Sequence, residues 1–169
     1  MRCYNVMFAG EPGVGKSAIL KRITLNVFDQ RYLSTKGVQV WQKTYNTLGV
    51  QFYLWEIQGR HMPDKIFEAY AGNADAYVLV SDLGRRQTFS SIEFYWCERI
   101  DCKKPVLILG NKTDIVKNLV TQAKAVMRLE HKLRARGVNV CYSTVVSART
   151  GYRINKILEK VGEACLKCS

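Results

Sequence analysis

The chain has 169 residues, a length that suits one domain and that can bury a core without disulfides or a structural metal. Its 47% hydrophobic and 24% charged residues are ordinary for a globular domain, and no apolar run approaches the ~20 residues of a membrane span. The formal net charge of +12 favours anionic partners. The six scattered cysteines and the absence of a signal-peptide pattern lead us to expect a cytoplasmic protein.

Short apolar runs alternate with helical periods along the chain. Strands are predicted over 2–9, 37–46, 50–57, 76–81, 106–109 and 138–146, and helices over 17–26, 87–100, 120–136 and 154–165. The runs at 76–81 and 106–109 are continuously apolar, which is typical of strands buried on both faces. The alternation predicts an α/β fold with a mostly parallel six-stranded sheet and helices on both faces, in which the strands 37–46 and 50–57 form an antiparallel pair.

Ligands of such sheets bind at the carboxyl ends of the strands. We therefore expect one site to be lined by the loops that follow five strands, after Ala9, Ile57, Ser81, Leu109 and Val146.

The strongest motif is GEPGVGKS at 10–17, which fits the pattern G-x-x-x-x-G-K-[ST] between a predicted strand and a predicted helix. Glycines allow a backbone to wrap closely around phosphate, and the loop amides and helix N-terminus attract the anion. Lys16 would reach the outer phosphates, and the Ser17 hydroxyl is a hard oxygen ligand for Mg²⁺. The motif predicts a P-loop NTPase, a three-layer sandwich; a chance glycine-rich turn is the alternative. The expected nucleotide contacts of this loop are Gly10, Gly13, Val14, Gly15, Lys16, Ser17 and Ala18.

A second motif, Asn111-Lys112-Thr113-Asp114, directly follows the buried run 106–109. The Asp114 carboxylate can accept hydrogen bonds from N1–H and the 2-amino group of guanine, a pair of donors that adenine does not offer. Lys112 can lay its stem over the base, and Asn111 can tie the loop to its neighbours. Alone, four polar residues after a strand are usually a turn, but after a P-loop they indicate a guanine site.

In their order and spacing these motifs resemble the Ras superfamily of small GTPases, most closely the Rab branch. The likeness covers essentially all 169 residues and implies a single G domain over 1–169 that binds GTP or GDP with Mg²⁺. Ser147-Ala148-Arg149 resembles the Ser-Ala-Lys element, in which the alanine amide meets the guanine carbonyl. The stretch 28–38 resembles the first switch, where the aromatic matching Phe28 packs on the base and the threonine matching Thr35 binds Mg²⁺ and senses the terminal phosphate. Phe28 as a core aromatic and Thr35 as a strand-edge residue are the alternatives.

The second switch departs from the family pattern Trp-Asp-x-x-Gly-Gln-Glu, because residues 55–61 read WEIQGRH. Glu56 replaces the magnesium-site aspartate, and Gly59 keeps the amide that meets a terminal phosphate oxygen. Arg60 replaces the glutamine that orients the attacking water, and arginine has no acceptor for a water hydrogen. The resemblance therefore implies slow intrinsic hydrolysis, with Arg60, Gly59 and Lys16 as catalytic residues and Ser17, Thr35 and Glu56 as metal ligands. Arg60 acting as an internal arginine finger, or Gln58 replacing the glutamine, are the alternatives.

The partners that the family implies are effector and regulatory proteins, which would bind through residues 30–45 and 56–70. Trp41 and Trp55 either frame an exposed aromatic patch between the switches or face the core.

The basic helix 120–136 is either a solvated face or a surface for anionic membrane or an acidic partner, and no nucleic-acid motif is evident. Cys165 and Cys168 resemble the prenylated ends of Rab proteins, which would place a cytoplasmic protein on a membrane, although Cys165 also fits a core position.

The resemblance favours a guanine-nucleotide-dependent molecular switch in vesicle trafficking or signalling. Arg60 motivates one alternative, a nucleotide-bound scaffold with negligible turnover. A second alternative is another P-loop enzyme such as a nucleotide kinase, which the guanine elements at 111–114 and 147–148 disfavour.

Overall fold

The computed structural model describes residues 1–29, 37–57 and 62–168. Six strands form one sheet in the order β2-β3-β1-β4-β5-β6. Their bounds are β1 (Arg2–Ala9), β2 (Val38–Tyr45), β3 (Val50–Ile57), β4 (Ala76–Asp82), β5 (Val106–Asn111) and β6 (Val140–Val145). All neighbours pair in parallel except β2 and β3, which are antiparallel. The predicted mostly parallel six-stranded sheet is confirmed.

The helices cover both faces of this sheet and so give the three layers that the P-loop motif predicts. They are α1 (Lys16–Leu25), α2 (Asp64–Asn73), α3 (Arg86–Ser91), α4 (Leu119–Ala135) and α5 (Asn155–Cys168). Side chains of α1 and α5 pack on one face, and those of α2 and α4 pack on the other. We call the first of these faces the α1–α5 face.

The central strand β4 shows why the sheet needs helices on both faces. Every residue of Ala76–Asp82 is buried. Val78 and Val80 pack on the α1–α5 face, whereas Tyr77 and Leu79 pack on the opposite face. A strand that is apolar at successive positions, and not only at alternate ones, excludes water only when both sides are covered.

Two of the four predicted helices differ little from the structure: α1 begins and ends one residue earlier than 17–26, and α4 covers 119–135. The helix α5 extends three residues beyond the predicted end at 165. The prediction of one helix over 87–100 is wrong. The α-helix ends at Ser91 and continues as a π-helix over Ile92–Trp96, in which the Cys97 amide donates to the Ile92 carbonyl at 3.1 Å. This change of hydrogen-bond spacing has no counterpart in the apolar pattern of the sequence.

The sequence analysis missed α2, which follows the second switch. Only Phe67 and Ala71 of this helix are buried, so its apolar stripe is too narrow to give a clear period. The strand predicted over 138–146 is also too long, because the Val138 amide donates to the Leu133 carbonyl of α4 at 3.0 Å and β6 begins only at Val140.

Of the two alternatives for Trp41 and Trp55, the prediction that they frame one exposed aromatic patch is wrong. Val40 pairs directly with Trp55 across β2 and β3, and cross-strand partners share a face, so the neighbouring Trp41 lies on the other face. Trp41 packs against the α1–α5 core, whereas Trp55 packs against the opposite core with its ring 5.1 Å from that of Tyr70. Both are half-buried.

The two C-terminal cysteines have different surroundings. Cys165 is a core residue of α5, and burial raises the pKa of its thiol to about 12. This matches the core interpretation of Cys165, while Cys168 is exposed at the end of the helix. Within the described ranges, no helix is long and apolar enough to cross a membrane.

Candidate functional site

The loop 10–17 leaves β1 and enters α1 at Lys16, and its glycines are required by close packing. A Cβ on Gly15 would lie 2.3 Å from Nδ2 of Asn111, and a Cβ on Gly10 would lie 2.3 Å from the Val80 carbonyl oxygen. Gly15 also has a φ of +98°, which side chains rarely allow. The loop is therefore pressed against the carboxyl ends of two other strands.

Lys16 is the charged centre of this loop. Its Nζ donates to the carbonyls of Gly10 at 2.8 Å and Glu11 at 3.1 Å. Burial lowers the pKa of Lys16 from 10.5 to about 8, although the carboxylates of Glu56 and Glu11 act in the opposite direction. A buried ammonium that is solvated only by carbonyls gains strongly from an anion placed beside it.

Ser17 and Glu56 bring two oxygen-bearing side chains together at the start of α1 and the end of β3. The Ser17 hydroxyl donates to Oε1 of Glu56, whose side chain is buried. Hydroxyl and carboxylate oxygens suit Mg²⁺, which usually takes one or two protein ligands and completes its shell with phosphate and water. In the described part of the chain, no group of three His, Cys, Asp or Glu side chains is arranged to hold a metal. Ser17 and Glu56 could supply two of the oxygen ligands of a magnesium ion.

Asn111 links the P-loop to the loop after β6. Its Nδ2 donates to the Val14 carbonyl at 2.9 Å, and its Oδ1 accepts from the Ala148 amide at 3.1 Å. The prediction that Asn111 ties this loop to its neighbours is confirmed. Lys112 follows with a φ of +73°, an uncommon conformation for a side-chain-bearing residue, and its Nζ donates to the Gly13 carbonyl at 2.7 Å.

The other guanine-motif residues lie next to the Ser147-Ala148-Arg149 element. The Ser147 hydroxyl donates to Oδ1 of Asp114 at 2.5 Å and accepts from the Thr150 amide at 3.1 Å. Nη1 of Arg149 lies 3.9 Å from Oδ2 of Asp114. The Phe28 ring is half-buried and packs against the α1–α5 core.

Asp82 and Arg85 are members of the site that the sequence analysis did not single out. Asp82 ends β4, and its carboxylate accepts from Lys112 at 2.8 Å, from Arg85 at 3.0 Å and from the Gly84 amide at 2.9 Å. Burial alone would raise the pKa of Asp82, but these hydrogen bonds outweigh it and hold the pKa below its usual value. Nη2 of Arg85 donates to the Pro12 carbonyl at 2.8 Å. The predicted lining by the loop after Ser81 was the signal that pointed to this pair.

Glu11 is a further loop residue with a partner. Its carboxylate accepts from the Ser91 hydroxyl at the end of α3, so the P-loop is tied to that helix as well. Thr35, Gly59 and Arg60 lie outside the described residues, as do Gln58 and His61. Their roles stay predictions.

Comparison with known proteins agrees with this geometry. The model of the Ras family matches residues 5–167. The chain is 30% identical over 137 residues to "Ras-related protein Rab-11A" of Dictyostelium discoideum. That match covers 77% of this chain and 64% of the relative, so the chain spans less than two thirds of the relative's length.

Proposed function

Because the chain belongs to the Ras family, we propose that it binds GTP and GDP with Mg²⁺ and works as a Rab-like molecular switch. The observation that carries the proposal is the position of Asn111. Its side-chain amide bonds both to the Val14 carbonyl in the P-loop and to the Ala148 amide. These two contacts support a single site that combines the phosphate-binding and guanine-binding motifs.

At the phosphate end, we assign the P-loop amides and Lys16 to the phosphates. Ser17, Thr35 and Glu56 are the proposed magnesium ligands. The buried charge of Lys16, with its pKa lowered to about 8, supports this assignment because phosphate would replace two carbonyls as its partner. An ordered Thr35 and Gly59 around the terminal phosphate would then form the surface that partners recognise.

At the guanine end, Asp114 is proposed to accept from N1–H and the 2-amino group of the base. Ala148 would donate its amide to the guanine carbonyl, while Lys112 and Phe28 would flank the ring. The carboxylate of Asp114 is 14% exposed and is held by Ser147, which supports a fixed orientation toward one ligand.

Hydrolysis is proposed to be slow, because Arg60 occupies the position of the water-orienting glutamine. The signal would then end only slowly without a partner that supplies the missing group. The alternative, a nucleotide-bound scaffold without turnover, shares the fold and the binding site and differs only in this step.

We further propose that residues 1–169 act as one G domain in vesicle trafficking or signalling. Effectors and regulators would bind through residues 30–45 and 56–70. A cytoplasmic protein with a net charge of +12 and an exposed Cys168 suits an anionic membrane surface. On α4 and at the residue after it, however, Lys132, Arg134 and Arg136 form ion pairs with Glu93, Glu130 and Glu98, respectively. These ion pairs leave less basic charge on that surface than the sequence suggests.

Competition binding tests the nucleotide assignment. A fluorescent GDP bound to the full chain in the presence of Mg²⁺ should be displaced by GTP at stoichiometric concentration. ATP should displace it only at a concentration at least about 1000-fold higher, because adenine leaves Asp114 without donors. Equal displacement by ATP and GTP would contradict guanine binding and favour another P-loop enzyme.

Single-turnover hydrolysis of bound GTP separates the slow switch from the scaffold. We expect the Arg60→Gln variant to hydrolyse GTP about 10-fold faster than the wild type, since glutamine supplies both a donor and an acceptor for the attacking water. The control is Arg86→Gln, an equal charge change on the exposed start of α3. An unchanged rate in Arg60→Gln would mean that Arg60 is not what limits turnover.

A further inference from the structure

A cavity of about 410 Å³ lies on the α1–α5 face, between α1, β2 and the start of α5. This volume is within the range of small-molecule sites, about 300–1,000 Å³. Its apolar wall is formed by Ile23, Tyr45, Ile154 and Leu158. No described residue that lines it belongs to the candidate nucleotide site.

The charge of the cavity has one sign. Of the described residues that line it, Arg22 and Lys43 are cationic and none is acidic. Lys43 is half-buried on β2 and forms no ion pair with another described residue. Apolar walls beside two cations attract a molecule that has an apolar body and one anionic group, because such a molecule buries the first and neutralises the second.

Arg22 connects this cavity to the guanine end of the nucleotide site. Its Nε donates to the Ala148 carbonyl at 2.9 Å, and its Nη2 donates to the Arg149 carbonyl at 2.7 Å. Nη1 donates to the Asn26 carbonyl at 3.2 Å, at the end of α1. Three of the five N–H donors of the guanidinium are used in this way, and the other two form no hydrogen bond with a described residue.

We propose that the cavity is a second binding site, for a small amphiphilic anion such as an aryl carboxylate, and that Arg22 couples it to nucleotide release. A carboxylate bound between Lys43 and the two remaining N–H groups of Arg22 draws the guanidinium away from the carbonyls of Ala148 and Arg149 that it holds. The anion therefore weakens nucleotide binding, which we expect to appear as faster release. By linkage, nucleotide lowers the affinity for the anion by the same factor as the anion lowers the affinity for nucleotide. The coupling, but not the binding, rests on the guanine-nucleotide function proposed above.

Binding is tested with 2-naphthoate and its uncharged analogue 2-naphthamide, titrated into the full chain labelled with ¹³C at isoleucine and leucine methyl groups. Naphthoate should shift the resonances of Ile23, Ile154 and Leu158 saturably, and naphthamide should bind at least about 5-fold more weakly. Lys43→Gln should weaken naphthoate binding by a similar factor. The matched control Lys65→Gln, on exposed α2 at the opposite face, should leave it unchanged.

Coupling is tested by the release of fluorescent GDP at saturating naphthoate. We expect release to accelerate at least about two-fold in the wild type. In Arg22→Lys the cation is kept, but a single ammonium replaces the separate Nε and Nη2 donors that match the two loop carbonyls, so the loop is already held more weakly. Naphthoate should then bind with little further acceleration of release.

Three results would overturn the proposal. The first is an absence of saturable shifts in the methyl resonances. The second is naphthoate binding that Lys43→Gln leaves intact. Either result would contradict the proposed binding site. The third is a release rate that saturating naphthoate does not change, which removes the coupling. A chain that failed to bind guanine nucleotides would refute the proposed function, while the methyl titration would still decide whether the cavity binds the anion.

Discussion

At the guanine end of the site, Asn111 joins the Val14 carbonyl to the Ala148 amide, whereas at the phosphate end Lys16 and Ser17 bond to carbonyls and to Glu56. The contacts of Asn111 hold two loops together, and of the groups that we assign to the ligand they occupy one, the Ala148 amide. The contacts of Lys16 and Ser17 occupy the atoms that we assign to phosphate and Mg²⁺. Base recognition is therefore largely built in advance, with one amide to be exchanged at Ala148, while phosphate binding requires both Lys16 and Ser17 to exchange partners.

This difference indicates that affinity and base specificity arise at different ends of the site. A largely preformed guanine end adds discrimination at a small cost for rearrangement. The phosphate end stores an unfavourable desolvated charge at Lys16, which a nucleotide relieves. We expect changes at the phosphate end to lower affinity for every nucleotide, and changes at the guanine end to alter the preference between bases.

Replacement of Lys16 by methionine should have the largest effect. We expect GTP affinity to fall about 1000-fold, because charge-assisted hydrogen bonds to phosphate are lost in a buried position. The ratio of GTP to ATP affinity should change little, since the guanine end is intact. Calorimetric titration of both nucleotides measures this, with Lys21→Met on the same helix as the control. A variant that kept its GTP affinity would contradict the assignment of Lys16.

Asp114→Ala should lower GTP affinity about 100-fold by leaving N1–H and the 2-amino group of guanine without an acceptor. It should also abolish the preference for GTP over inosine triphosphate, which lacks the 2-amino group. Ser147→Ala is the matched control, because it removes the hydroxyl that orients Asp114 and keeps the carboxylate. If Asp114→Ala still preferred GTP over inosine triphosphate, the acceptor would lie elsewhere.

Lys16 should also make the stability of the nucleotide-free protein depend on pH. Its folded pKa of about 8 lies below the 10.5 of the unfolded chain, so the unfolded state binds more protons between these values and stability rises with pH. Relative to Lys16→Met, the wild type should gain about 2 kcal/mol in free energy of unfolding from pH 7 to pH 10. Urea denaturation of both proteins measures the difference. A difference that stayed constant over this range would show that Lys16 is not desolvated.

Arg85→Ala should have the smallest effect, about a 3-fold faster release of GDP. The side chain links the Pro12 carbonyl of the P-loop to the Asp82 carboxylate at the end of β4. It is 44% exposed, so solvent screens its contribution. The neighbouring exposed Arg86→Ala should leave release unchanged. If both variants behaved alike, the contact with Pro12 would not restrain the loop.

The strands and the two nucleotide motifs were accessible from the sequence because each has a strong local signal. β1 and β3 have the predicted bounds, and the P-loop and Asn111 meet where the topology predicts. The helix α2 could not be predicted because two buried side chains do not make a period. The π-helix could not be predicted because its hydrogen-bond spacing leaves no apolar signature.

The roles of Asp82, Arg85 and Arg22 could not be predicted from the sequence for a different reason. Each acts through hydrogen bonds to carbonyls or side chains that are distant in sequence, such as the 126 residues between Arg22 and Ala148. No periodicity encodes such pairs. The placement of Trp41 and Trp55 on opposite faces likewise follows from strand register, which the sequence alone leaves open.

The most direct test of the central claim is to extract and quantify the nucleotide bound to the purified chain, and then to follow it over time after loading with GTP and Mg²⁺. We expect bound guanine nucleotide and GTP that persists, since Arg60 does not orient the attacking water. Recovery of adenine nucleotides, or of none, would contradict the guanine site. Conversion to GDP at the rate of an ordinary small GTPase would contradict the role given to Arg60.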